Sequence, residues 1–86
     1  MKKEVQTKMY VKKPVPVVAY QYTMEHFINV EETPGISYDI HKRPYIKTLE
    51  GEMQVNIGSY ICQGIDGEYW AVKQNIFERT YDEVTL

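Results

Sequence analysis

The chain has 86 residues, 43% of them apolar and 26% charged, proportions that exclude a disordered body because there is enough apolar surface to offset the entropy of ordering. That length builds one hydrophobic core rather than two. No apolar run approaches the roughly 20 residues needed to cross a bilayer, which excludes a membrane-spanning helix.

The net charge of −2 is unevenly distributed. Residues 1–13 carry Lys2, Lys3, Lys8, Lys12 and Lys13 against Glu4, a net of +4, while residues 14–86 set five Lys or Arg against eleven acids, a net of −6. The sequence predicts a flexible basic arm over 1–13 and a single α+β domain over 14–86. Such an arm is either a solvated end that aids solubility or a contact for an anionic partner. The acidic body repels nucleic acid at long range, which argues against a nucleic-acid partner. The first lysines have no apolar stretch behind them, so they do not read as a secretory signal. Cys62 is the single cysteine and cannot form an intramolecular disulfide, so the expected location is the cytoplasm.

Pro14 biases Lys13 toward extended backbone, and residues 15–22 (VPVVAYQY) are rich in β-branched and aromatic side chains, which predicts a strand. Pro16 has no amide hydrogen and belongs at the start of that strand or on a sheet edge. Thr23 is the expected N-cap of a short helix in which Met24, Phe27 and Ile28 share one face. A helix so short is stable only when docked, and the sheet is its expected support. Residues 31–44 lack periodicity and read mostly as loop, with His41, Lys42 and Arg43 forming a small basic cluster before Pro44.

Residues 45–49 and 52–55 read as a hairpin around Glu50-Gly51. Asn56-Ile57-Gly58 forms a second turn into residues 59–63, and residues 64–67, with glycine at both ends, a third turn into residues 68–72. The expected fold class is therefore α+β. It comprises a small antiparallel sheet, a meander of four strands plus an N-terminal strand, with residues 79–84 as a candidate C-terminal strand, and one short helix. Alternation puts Ile61 on one face of its strand and Tyr60 with Cys62 on the other. Residues 73–77 are expected to form one helical turn.

No catalytic spacing accompanies these elements. His26 and His41 belong to no HxxH, HExxH or CxxC pattern, so neither a metal nor another cofactor is expected. Cys62 alternates inside a strand as an apolar filler does, and packing is the better account of it than nucleophilic chemistry. The glycines stand at chain reversals and lack the GK[ST] ending of a phosphate loop. The carboxylates read as a solvated face, and the chain is not expected to be an enzyme. Eight tyrosines and Trp70 are the unusual feature. Tyr60, Tyr69 and Trp70 fall on adjacent predicted strands with Lys73 just beyond, and these four form the candidate binding surface. Tyrosine and tryptophan are enriched at interface anchors, whereas base-stacking rings come interleaved with Lys and Arg, and here Asp66 and Glu68 stand closer.

The stretch from Thr48 to Val84 resembles a family of short bacteriophage or prophage proteins of uncharacterised function. Thr48, Leu49, Glu50, Gly51, Met53 and Val55 carry the first part of its pattern. Gly58, Tyr60, Ile61, Gly64, Gly67, Glu68, Tyr69 and Lys73 follow, then Ile76, Phe77, Thr80 and Tyr81. The opening KKPVPVVAYQYT is also similar, and together these cover about half the chain. Ser59 stands where the family has aspartate, and Trp70-Ala71 replaces a proline. The resemblance implies a phage or prophage origin in a Gram-positive host and brings no reaction with it.

The expected function is that of a small accessory protein binding a host or phage protein, as an inhibitor of a defence or replication factor. One alternative is a small-molecule binder that sequesters a nucleotide signal, with Arg43, Lys47, Lys73 or Arg79 on the phosphates. A minor structural or assembly protein is the other. The sequence leaves the oligomeric state open.

Overall fold

A computed structural model describes residues 4–29 and 33–84. Six strands and two helices occur among them, in the order β1 (Val18–Gln21), α1 (Met24–Ile28), β2 (Ser37–Tyr38), β3 (Pro44–Thr48), β4 (Gly51–Gln54), β5 (Tyr60–Gln63), β6 (Tyr69–Val72) and α2 (Gln74–Thr80). The α+β class holds, but the four-stranded meander does not. The strands form two antiparallel three-stranded sheets, ordered β1-β5-β6 and β2-β3-β4.

The break falls between β4 and β5. The turn at Asn56–Ser59 closes with Ser59 N–H donating to Asn56 O at 3.1 Å, and Gly58 there has φ +98°, a conformation glycine adopts without a Cβ clash. This turn does not lay β5 back on β4. It places Gly58 N–H on Tyr22 O at 2.7 Å and Ser59 O under Tyr22 N–H at 2.8 Å, so β5 pairs with β1 in the register Tyr20↔Ile61. Ser59 is itself 7% exposed. Ser59 therefore works through its backbone in this junction.

The first hairpin is also one residue out of the expected phase. Thr48 pairs with Gly51, so its two-residue turn is Leu49-Glu50, with Thr48 Oγ1 donating to Gly51 O at 2.7 Å. The sequence correctly marks β6 as the partner of β5, where Cys62 opposes Trp70 and Gln63 opposes Tyr69.

The core lies between the sheets. Tyr22, Ile46, Val55 and Ile61 are buried there, packed against Tyr20, Ile36, Met53, Tyr69 and Ala71. Tyr20, Ile61 and Ala71 form one cross-strand row, and Ala71 N–H donates to Met53 Sδ at 3.1 Å, tying the edge of one sheet to the other. Cys62 is fully buried on the opposite face from Ile61, as strand alternation requires.

Residues 33–44 are pinned rather than loose. Tyr20 Oη donates to Pro34 O at 2.7 Å. Tyr22 Oη meets Tyr38 Oη at 3.1 Å, and Tyr38 Oη donates to Thr33 Oγ1 at 3.3 Å. Gly35, at φ +83°, lies so close against the Tyr69 ring that no Cβ fits between them. The cluster His41-Lys42-Arg43 forms the β2–β3 turn. Asp39 Oδ1 accepts from His41 N–H at 2.8 Å and from Arg43 N–H at 2.9 Å, and Arg43 Nε bonds Asp39 Oδ2 at 2.9 Å. The Arg43 backbone donor first, and its guanidinium with it, holds the Asp39 carboxyl below the ordinary range.

Two expectations about helices are corrected. Thr23 does cap α1, with its N–H donating to His26 Nδ1 at 3.1 Å. The apolar face does not dock, however: Met24 is 54%, Phe27 42% and Ile28 71% exposed. His26 faces inward instead, stacked on Tyr22 at 6.0 Å and tilted on Tyr20 at 5.5 Å. Holding His26 in the cap turns that residue toward the tyrosines, and the Met24–Ile28 stripe is left outward. At the other end, α2 runs beyond the single turn expected, to Thr80. Residues 81–84 have no regular structure and pair with no strand, and Arg79 and Thr80 bond back to Asn75 O and Ile76 O within the helix.

Candidate functional site

The Tyr60–Tyr69–Trp70–Lys73 surface is not one patch. Successive residues of a strand point to opposite faces, so Tyr69 and Trp70 separate. Tyr69 goes to the core side, against Gly35. Trp70 lies opposite Cys62 and Tyr60 opposite Val72, on the outer face. Lys73 is exposed and serves as the N-cap residue of α2, its carbonyl accepting from Phe77 N–H at 2.8 Å.

The structure gives Tyr60 a different set of neighbours. Its ring stacks on Phe77 at 4.0 Å with 8° between planes, and Phe77 stacks on Tyr81 at 4.6 Å and 13°. These three rings form a continuous column across β5, α2 and the segment after it. Phe77 and Tyr81 are four apart, one helical turn, and α2 lies so that this pair meets β5. Parallel rings at these separations add about 0.5–1.5 kcal/mol per pair beyond the area they bury.

The column borders an open cleft of about 960 Å3. One wall is the lead-in to β1, residues 12–17, and the other is the end of α2 with residues 80–84; Tyr60 and Ala19 contribute from the sheet. The lead-in takes this course because Val15 N–H bonds Lys13 O at 2.8 Å, a three-residue turn centred on Pro14, whose fixed φ suits that position. Lys12 Nζ reaches across to 5.9 Å from the Tyr81 ring centre, at the outer limit of a cation–π contact. Residues 79–84 were expected to return as a strand; they return as a cleft wall facing the approach to β1.

The cleft carries both charges. Lys12 and Lys13 stand on one side, and Glu78, Asp82 and Glu83 on the other. It combines the faces of aromatic rings, the apolar walls of Val15 and Val17, and a charged rim. Burial pushes the Cys62 thiol up, away from the reactive thiolate. His26 Nδ1 is occupied by Thr23, and His41 sits in the β2–β3 turn. Among the described residues, no group of three or more His, Cys, Asp or Glu is placed to hold a metal ion.

The cations of the nucleotide alternative are scattered. Arg43 lines a separate groove of about 340 Å3 with Asp39, Tyr45 and Glu52. Lys47 is on β3, while Lys73 and Arg79 belong to the N-cap and last turn of α2. Neither groove gathers more than one of the four.

Sequence reasoning missed Phe77 and Tyr81 as the ring partners of Tyr60. The signal was present in the four-residue spacing of Phe77 and Tyr81, which becomes informative once α2 is seen to extend past Phe77. Among the described residues no helix is long and apolar enough to cross a membrane. No family model, curated protein or solved structure matches the chain.

Proposed function

We propose that this protein is a small accessory protein of phage or prophage origin that acts by binding another protein, of the host or of the phage. An extended segment of that partner lies in the cleft between residues 12–17 and 80–84. The observation that carries this reading is the Tyr60–Phe77–Tyr81 column on an open cleft of about 960 Å3. Stacked aromatic rings give a large, rigid contact surface with little side-chain entropy left to lose, as interface anchors do. The motif resemblance from Thr48 to Val84 supports the phage origin, and Phe77 and Tyr81 fall within the residues that carry it. Inhibition of a defence or replication factor is the biological role in keeping with that origin, acting inside the host cell.

Affinity capture from a Gram-positive host lysate, with the tagged wild type and with Tyr81→Ser, tests the reading. The wild type is expected to retain a stoichiometric protein through a high-salt wash, and Tyr81→Ser to lose at least tenfold of it. Equal retention by the variant would sink the cleft as the binding site. An empty wild-type capture beside a thermal shift with a nucleotide would favour the small-molecule alternative.

A further inference from the structure

The arm that leads into the cleft exposes more apolar surface than a solvated tail requires. Val5 is 85%, Met9 100%, Tyr10 85% and Val11 94% exposed, and residues 4–17 form neither helix nor strand. Its pattern is nonetheless that of an amphipathic strand. Val5, Thr7, Met9 and Val11 alternate onto one side of an extended chain, with Gln6, Lys8, Tyr10 and Lys12 on the other. The arm carries the positive charge of the molecule, and residues 14–86 carry the negative.

The cleft is complementary to this segment in both respects. Its ring column, Tyr60, Phe77 and Tyr81, suits the Val5–Met9–Val11 side, and Glu78, Asp82 and Glu83 suit Lys8 and the charge around it. The arm does not fill its own cleft, since the root at residues 12–17 is already one wall and the exposure of Val5, Met9 and Val11 shows that they rest on almost nothing among the described residues. From Lys12 back to Val5 an extended chain reaches about 25 Å, enough to cross to a neighbouring molecule.

We infer that the arm of one copy occupies the cleft of a second copy, in a twofold pair that exchanges arms reciprocally. This rests on the reading of the cleft as a binding site for an extended polypeptide and names its resident occupant. A twofold interface is isologous, so a single arm–cleft contact is made twice. The opposite charges of arm and body hasten encounter and fix the direction of the arm. A foreign partner entering the cleft displaces the arm, which couples self-association to partner binding.

The test is light scattering after size exclusion on the full chain, over a range of concentrations, at low and high salt. The wild type is expected to run as a dimer at low salt and to dissociate at least tenfold more readily at 1 M, where charges are screened beyond about 3 Å. An arm variant, Met9→Asp with Val11→Asp, alters side chains with almost no contacts and is expected to be monomeric while keeping the wild-type circular-dichroism spectrum. A cleft variant, Glu78→Lys with Asp82→Lys, is expected to be monomeric too. Mixed together, these two retain one intact arm and one intact cleft and are expected to form a weaker dimer.

A wild type that stays monomeric at every concentration overturns the inference. A dimer indifferent to the arm variant, or a mixture that does not associate, does so as well. These failures are distinct from failure of the proposed function: a monomeric wild type whose captured partner is still lost on Tyr81→Ser removes the exchange and keeps the cleft. An arm-dependent dimer whose captured partner ignores Tyr81→Ser removes the foreign partner from the cleft and keeps the exchange.

Discussion

Tyr22 shows how much a single side chain does in a core this small. It is fully buried, its backbone joins β1 to the Gly58–Ser59 turn, its ring stacks on His26, and its hydroxyl meets Tyr38. Tyr22→Phe removes only the hydroxyl and is expected to lower stability by about 0.5–1.5 kcal/mol. Burial, then the Tyr38 hydroxyl, raises the Tyr22 pKa, and burial raises that of Tyr20 to about 12. Both lie above the ordinary value near 10, so the neutral ring is favoured in the folded state. Stability is therefore unaffected below pH 10 and falls as pH rises from about 10 toward 12, where the unfolded chain ionises first. Denaturant melts across this range are expected to show that loss, with a shallower slope in Tyr22→Phe. Equal slopes in the two proteins would show that Tyr22 has no part in the alkaline transition.

At the scale of elements, what the sequence revealed depended on how local the cause was. The Thr23 cap, the β5–β6 hairpin and the opposite faces of Ile61 and Cys62 were legible because each follows from residues a few positions apart. The break between β4 and β5 was not. The Asn56–Ser59 turn has the composition of a hairpin turn, and only its bonds to Tyr22, more than thirty residues away, send β5 to β1. The pinned course of residues 33–44 has the same origin, in hydroxyls of Tyr20 and Tyr22 that no local pattern reveals. Docking of α1 was misjudged because Met24, Phe27 and Ile28 have the right spacing while the cap commits His26 to the inner side. For α2, docking rests on Phe77 between Tyr60 and Tyr81. Phe77→Ala is expected to cost about 2 kcal/mol, below the roughly 3–5 of a fully buried ring. Amide exchange should quicken over residues 74–81 while β3 and β4 stay protected. Uniform acceleration across both sheets would mean that α2 is part of the global folding unit rather than a docked layer.

Over the whole molecule, three layers emerge: the β2-β3-β4 sheet, the β1-β5-β6 sheet, and α2 with the irregular segments at both ends of the described chain. The inner interface holds the core, and the outer one is incomplete, ending in the open cleft. A radius of gyration of 16.5 Å, against about 12 Å for a compact chain of this length, reflects the exposed arm. The exposed residues Val5, Met9 and Val11 and the open aromatic column are the two surfaces that the proposed arm exchange would join.

The claim that the cleft is where this protein meets another polypeptide is tested most directly by photocrosslinking in cells. A benzophenone amino acid would replace Tyr81 at the column in one strain and Leu49, on the exposed β3–β4 turn, in another. The account predicts a discrete polypeptide adduct from position 81 and none above background from position 49. An adduct of equal yield from both positions, or from position 49 alone, would contradict it.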